Sequence, residues 1–482
     1  MDPLLFIPIA LGGALLVFLA VILLRAAAFR PQSEEREQFE EIDLDRDRAV
    51  DSLAQLVRCR TVSYRDSALE DDAEFERLIG LLPELYPLVH QSCTLTRLPD
   101  RALLYRLAGK EKGAATVLMA HYDVVPVEEE QWEKPPFSGI LEDGVLWGRG
   151  TLDTKVTLNG ILFAAEHLLE RGFVPRHDVY FAFSGGEEIN GKGALNIVEY
   201  FRDHSIELGL VVDEGGGVVE NVFPGVKTPC AMVGIAEKGM LNLEYRIKGG
   251  GGHASAPPPH TPVGELSAAC CRVEANPFPA HLTVPAAKMF DTLGRHSTFL
   301  YRVIFANLGI FKGVLDMICR KSGGEINALM RTTVAFTQMK GSVAPNVIPP
   351  AASMVANLRL NPADDMESAI AYMKKVVAND RIEIVKQDGM NPSRISRTDC
   401  EAWEKVVRAV KGTWQGALVS PYLMVQCSDC RHYGAISDKV YRFSAMDLTK
   451  EERSTIHGNN ERIRVDALCR AVEFFVRVMQ QC

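Results

Sequence analysis

Three short apolar runs in this chain each lead into a residue that can bind a metal ion or move a proton. Ala115 to Ala120 ends at His121, Val179 to Phe183 ends near Ser184 just ahead of Glu187 and Glu188, and Leu208 to Val212 ends at Asp213. Runs this apolar, without polar alternation, are expected of strands buried on both faces. A helical pattern, Leu158 to Leu169, lies between them. Strands alternating with helices predict an α/β fold whose mostly parallel sheet carries helices on both faces. Ligands of such sheets bind beyond the carboxyl ends of the strands, which is where these residues fall.

A different texture begins near Glu237. Met240 to Lys248 alternates as a half-buried strand, Val263 to Ala275 reads as a helix, and Thr332 to Met339 and Ser353 to Leu360 read as strands. A helix from Met366 to Ala378 and a strand from Arg381 to Lys386 complete the set. Strand, helix, strand, strand, helix, strand is the ferredoxin-like order. It predicts an α+β unit inserted into the first domain, itself interrupted by a long insertion over residues 276–330. The expected division is therefore segments 49–236 and 391–482 of a first domain around an inserted unit, 237–390. A chain of 482 residues is long enough for two such cores.

The chemistry-bearing residues cluster in short motifs. In His121-Tyr122-Asp123, the acid stands where it can orient a ligating imidazole through its second ring nitrogen. The glycines of Gly148-Arg149-Gly150-Thr151-Leu152-Asp153 permit a tight turn that presents one carboxylate, and they lack the spacing of a phosphate-binding P-loop. Ser184-Gly185-Gly186-Glu187-Glu188 offers adjacent carboxylates, one to ligate and the other to hold or activate water. Asp213 precedes Glu214 and three glycines, and His457 stands in Ile456-His457-Gly458-Asn459-Asn460-Glu461. His121, Asp153, Glu188, Asp213 and His457 form a nitrogen and oxygen donor set suited to zinc or another divalent metal.

With these motifs in this order, the chain from about residue 45 onward resembles the co-catalytic dizinc family of aminoacylase, carboxypeptidase S, bacterial carboxypeptidase G and N-acyl amino acid hydrolases. The stretch Tyr422 to Glu461, with Ser428-Asp429-Cys430-Arg431-His432-Tyr433 and His457-Gly458, is most similar to the branch holding carboxypeptidase S and the N-acyl amino acid hydrolases. The resemblance implies two Zn2+ ions per subunit, bridged by Asp153, one completed by His121 and Asp213 and the other by Glu188 and His457. It implies that Glu187 is the general base and later the acid, with Asp123 behind His121. His253, in Gly251-Gly252-His253-Ala254-Ser255, matches a histidine that stabilises the oxyanion and, in dimeric relatives, serves the partner subunit. Asn346 and Arg359 match positions that contact the substrate and its carboxylate. The implied reaction is hydrolysis of an amide next to a free carboxylate, in a peptide or an N-acyl amino acid. An aminopeptidase or deacetylase on the same metals, and a non-catalytic membrane-bound binding protein, are the alternatives. One departure is Gln426-Cys427-Ser428-Asp429, where many relatives carry a glycine pair before the acid.

The beginning of the chain adds a second location. Pro3 to Leu24 holds no charge, and at about 1.5 Å per residue it can cross a hydrocarbon core of about 30 Å. Residues 3–28 are expected to be a transmembrane helix in the lipid bilayer and 29–48 a charged linker. The segment has no basic start and exceeds the length of a signal-peptide core, which favours an anchor over a cleaved leader. Arg25 and Arg30 follow the span, a cue for placing the site on the cytoplasmic face. The eleven cysteines are irregularly spaced and are read as thiols, the Cys427 and Cys430 pair included. A net charge of -9 without a basic stripe argues against nucleic acid as a partner.

Overall fold

The three apolar runs become adjacent parallel strands, Ala115–His121, Val179–Ser184 and Leu208–Asp213, in the computed structural model. It describes residues 6–31, 37–223 and 225–482, so residues 3–5 of the expected span and 32–36 of the expected linker lie outside the described residues. Val440–Arg442 extends the parallel set beside Leu208–Asp213. At the other edge, Cys93–Leu98 and Ala102–Leu107 add antiparallel, because three connecting residues leave room only for a hairpin. Cys230–Glu237 and Leu418–Met424 run parallel to each other at the opposite edge, while Val440–Arg442 meets Cys230–Glu237 antiparallel. The sheet is therefore mixed, with a parallel centre.

Alternate side chains of the central strands enter different cores. Leu118, Phe181 and Val212 face helices Arg46–Val57, Lys155–Leu169 and Val465–Met479. Val117, Met119, Tyr180 and Val211 face helix Gly193–Asp203 on the other side. Both faces being covered explains the unbroken apolar runs. Each such buried side chain contributes about 1.5–3 kcal/mol relative to exposure. Helix Lys155–Leu169 is buried along almost its whole length, and a Cβ at Gly160 would stand 3.1 Å from the Phe475 ring. A side chain there would push the two helices apart.

The second sheet has the order Thr333–Lys340, Ala351–Leu360, Gly239–Lys248, Glu383–Met390, all antiparallel. Helices Pro262–Ala275 and Met366–Val377 pack on one face through Leu266, Ala269, Ala369 and Met373. This is the expected ferredoxin-like arrangement, with elements starting or ending within a few residues of their expected limits. The insertion is helical: Val284–His296, Phe299–Phe305, Leu308–Ser322 and Gly324–Met330. It packs with strands Cys230–Glu237 and Leu418–Met424 through Phe290, Leu293, Met232 and Leu423, covering what would otherwise be an open sheet edge. The N-terminal helix, described from Phe6 to Ala28, has an 18-residue window, Leu11–Ala28, apolar enough to cross a membrane. All eleven cysteines are free thiols.

A buried ion pair stands where the chain leaves the first sheet for the second unit. Glu237 closes a strand of the first sheet, and its carboxylate accepts from the Ser428 amide at 2.7 Å and from Arg442 Nη2 at 3.3 Å. Both side chains are 1% exposed. Arg442→Met strips a buried carboxylate of its counter-ion and is expected to cost about 3–5 kcal/mol. The double variant Glu237→Gln, Arg442→Met recovers most of that loss. Equilibrium denaturation of the detergent-solubilised proteins measures both, and equal stability of single and double variants refutes the account.

Candidate metal centre

The ligand candidates gather beyond the carboxyl ends of the central strands. His121 donates from Nδ1 to the Asp123 carbonyl at 3.0 Å, which leaves Nε2 as the free donor atom facing Asp153 Oδ1 at 2.9 Å. The other oxygen of Asp153 lies 3.1 Å from His457 Nε2, which also lies 3.1 Å from Glu188. Asp153 thus stands between the two histidines with one oxygen toward each. His121, Asp153 and Glu188 bring donor atoms within 4.8 Å of one another, and so do His121, Glu187 and Glu214.

Asp123 works from behind. Fully buried, it accepts the Glu187 amide at 3.1 Å, the Glu188 amide at 3.2 Å and the Ser63 hydroxyl at 2.7 Å. It therefore fixes the backbone of both glutamates as well as the tautomer of His121, the latter through its carbonyl. The turn carrying Asp153 depends on Gly150, at φ +90°, where a Cβ would lie 3.0 Å from Val124 and from Lys155. Gly216, at φ +74°, passes so close to the Met232 carbonyl that a Cβ would meet it at 2.0 Å, and this holds the backbone after Glu214.

Glu461 ties the two ends of the chain together. Its Oε1 accepts the amides of Leu152 at 2.7 Å and of Gly150 and Asp153 at 3.1 Å. Its Oε2 receives Arg149 Nη1 at 2.5 Å, and Arg149 Nη2 reaches the Gly458 carbonyl at 2.8 Å. The Asp153 turn and the His457 loop are thereby one bonded unit.

Three expectations meet a different geometry. Asp213 ends its strand pointing away from the cluster, where Oδ2 accepts the Cys430 amide at 2.9 Å. The following residue, Glu214, is turned toward His121, with Oε1 3.6 Å from Nε2. Side chains alternate between faces along a strand, so moving one residue past its end exchanges the direction. His253 and Asn346 are together but away from the cluster: the short pair Gly252–His253 and Val347–Ile348 is exposed on the second unit, with the Ala254 amide bound to the Asn346 carbonyl at 3.0 Å. Arg359 approaches from the second sheet and donates to Cys427 Sγ at 3.4 Å.

The electrostatics are those of a carboxylate excess. Burial, with Glu214, Asp429 and Glu188 nearby, lifts the Glu187 carboxyl well above its ordinary range. Burial and Asp153 push Glu214 up to about 8. Hydrogen bonds from its ring to the Asp153 and Glu188 carboxylates raise His457 to about 10. Nitrogen and oxygen donors with surplus negative charge, in a mostly buried site, fit a divalent metal. Residues missed from sequence are Glu214 and Glu461. Both lay inside motifs already singled out, each as the second of two acidic or polar neighbours.

A cavity of about 590 Å³ adjoins the cluster, lined by Asp153, Glu187, Glu188, Glu214 and His457. The rest of its wall is largely apolar, including Phe223, Met289, Phe290, Leu293, Ile326 and Leu329. Five of these belong to the insertion.

Comparison with known proteins gives consistent relatives. Residues 117–481 match the model for Peptidase family M20/M25/M40. The chain is 34% identical to N-fatty-acyl-amino acid synthase/hydrolase PM20D1 of Xenopus tropicalis, over 97% of this chain and 93% of that one. It is 32% identical to a carboxypeptidase S-like 2 protein of Dictyostelium discoideum, over 89% and 84%. Among solved structures, the M20 family metallo-carboxypeptidase Sso-CP2 from Sulfolobus solfataricus has the same fold, with a TM-score of 0.64 and 19% identity over 90% of this chain and 98% of that one.

Glu461→Gln leaves Arg149 without its partner and slackens the turn behind Asp153. Outer supports of a metal site typically contribute 10–100-fold in affinity, so zinc retention against a chelating dye is expected to fall by about that factor with the circular dichroism spectrum unchanged. Unaltered retention refutes the role.

Proposed function

Because the chain belongs to Peptidase family M20/M25/M40, a family of metallohydrolases, it is an enzyme that hydrolyses an amide next to a carboxylate, and we propose that its substrates are N-acyl amino acids with long apolar acyl chains. The observation that carries this reading is the apolar wall of the cavity beside the His121, Asp153, Glu188 and His457 cluster. The hydrolase named for fatty-acyl amino acids in Xenopus tropicalis supports the same substrate class.

In this reading two Zn2+ ions would be held by Asp153, Glu188, His457, His121 and Glu214. Glu214 replaces Asp213, whose carboxylate is engaged by the Cys430 amide. Zinc in such a site polarises the amide carbonyl and lowers the pKa of the attacking water. Glu187, next to the ligand Glu188 and lining the cavity, takes the proton from that water and delivers it to the departing amine. Asp123 keeps His121 and both glutamate amides in register. Arg359 receives the substrate carboxylate by a charge-assisted pair, and Asn346, beside His253, contacts the substrate in the site of a partner subunit. His253, exposed on the second unit, stabilises the oxyanion in the site of a partner subunit, which makes residues 237–390 a lid and dimerisation domain between catalytic segments 49–236 and 391–482. Residues 3–28 anchor the enzyme by a single span. Arg25 and Arg30 after the span, and the free thiols, favour the cytoplasmic side.

Glu187→Gln is expected to lower the rate on a long-chain N-acyl amino acid by about 10²–10⁴-fold while zinc content stays at the wild-type level. Full activity of that variant ends the mechanism. The substrate class is checked by comparing kcat/KM across acyl lengths and on unmodified dipeptides, scored by release of free amino acid. Preference for the dipeptides overturns it. Asp213→Asn and Glu214→Gln separate the two ligand assignments: zinc loss is expected for Glu214→Gln alone.

A further inference from the structure

We propose that the helical insertion is a membrane-resting surface, in which residues 299–318 sit in the same bilayer leaflet as the end of the N-terminal helix. Helix Leu308–Ser322 buries Leu315 and Cys319 against the body of the protein. Its outer face carries Ile310, Val314, Met317 and Ile318, and Met317 is 61% exposed. Spacings of four, three and one residues put these side chains on one stripe of the helix. The neighbouring helix adds Phe299 and Leu300, the latter 72% exposed. Lys312 and Lys321 are exposed on the same helix, and its one acid, Asp316, is engaged by Arg320 and Arg331. An apolar stripe on a helix with exposed lysines on its opposite face and at its end is the composition of a helix that lies in a headgroup layer.

The bilayer is the occupant because of where the insertion is attached. Between Leu11 and Ala28 of the N-terminal helix, Ile22 and Ala26 are buried and the other side chains exposed or half-buried, and that helix packs against Phe299–Phe305. Asn307 Nδ2 donates to the Ile22 carbonyl at 3.2 Å, and the Arg295 guanidinium lies 4.5 Å from the Phe29 ring centre. Ile22 is six residues inside the end of the apolar window Leu11–Ala28, or about 9 Å along the helix axis. Whatever touches Ile22 is therefore at membrane depth when the helix spans. The apolar stripe is continuous with that contact. Helix Val284–His296 joins the two regions, packing on Phe299–Phe305 while Met289, Phe290 and Leu293 line the cavity. The insertion thus has lipid on its outside and the candidate acyl pocket on its inside.

This inference rests on the reading of the N-terminal helix as a retained span, and the test separates the two. Full-length protein carrying Ile310→Trp, Met317→Trp or, as a control on the exposed edge of the second unit, Val343→Trp is reconstituted in phosphatidylcholine vesicles. With lipids brominated at the depth of about 5–10 Å where interfacial helices lie, the added emission of the first two is expected to be largely lost and that of the control retained. Val314→Glu with Ile318→Glu in the Met317→Trp background is expected to restore the emission. As a measurement on the unsubstituted protein, a lipid-carried carbene reagent is expected to label the 308–322 peptide and not the 341–346 loop. No quenching at 310 and 317 and no labelling of 308–322, with the N-terminal peptide intact and resistant to alkaline extraction, overturns the proposal and leaves the anchor standing. Should the N-terminal peptide be absent, the span reading fails. Quenching on added vesicles then upholds the surface by itself, and its absence overturns it. An unquenched tryptophan accompanied by a doubled mass that Met317→Glu abolishes assigns the face to a second copy and equally overturns the proposal.

Discussion

The centre depends on a carboxylate that touches no candidate metal position. Glu461 collects three amides of the Asp153 turn and the Arg149 guanidinium, which in turn holds the Gly458 carbonyl beside His457. Hydrogen bonds to an ionised acceptor are roughly twice as strong as neutral ones, and here they are fully buried. Two loops that carry opposing ligands cannot drift independently under that arrangement. His457 adopts a left-handed backbone conformation, φ +57°, of the kind that persists only when its surroundings over-determine it. The Glu461 unit and the Asn460 contacts to Glu133 supply that determination.

Asp123 solves the corresponding problem on the other side. One buried acid serves three amide or hydroxyl donors and, through its carbonyl, one imidazole. The geometry of His121, Glu187 and Glu188 is consequently a single decision. Catalytic groups need placement to within a fraction of an ångström, and the support comes from rigid strand ends joined by buried polar bonds rather than from the loops themselves.

Much of this was legible from the residues alone. Unbroken apolar runs reveal buried strands, and a His or acid at the end of each marks the ligand-binding edge. The second unit was readable as well, since period-two and helical patterns alternate there in a recognisable order. A strand pattern says nothing about the direction taken by the first residue beyond it, so it does not separate Asp213 from Glu214, and the Cys430 amide bound by Asp213 is 217 residues away. Glu461 stayed hidden for the same reason, its partners being more than 300 residues distant. The insertion resisted because its apolar residues divide among three environments, the sheet edge, the cavity and the outer stripe, and each blurs the periodicity of the others. His253 and Asn346 fall on one exposed pair, which a single chain does not connect to the cluster.

The separation of 312 residues between Arg149 and Glu461 also sets an order of events during synthesis. A chain emerging from the ribosome presents His121, Asp153 and Glu188 long before His457, and non-local contacts of this kind form last. By then the N-terminal helix and the whole second unit have already emerged. A product cut short before His457 would therefore carry His121, Asp153 and Glu188 yet lack the residues that close the centre around them.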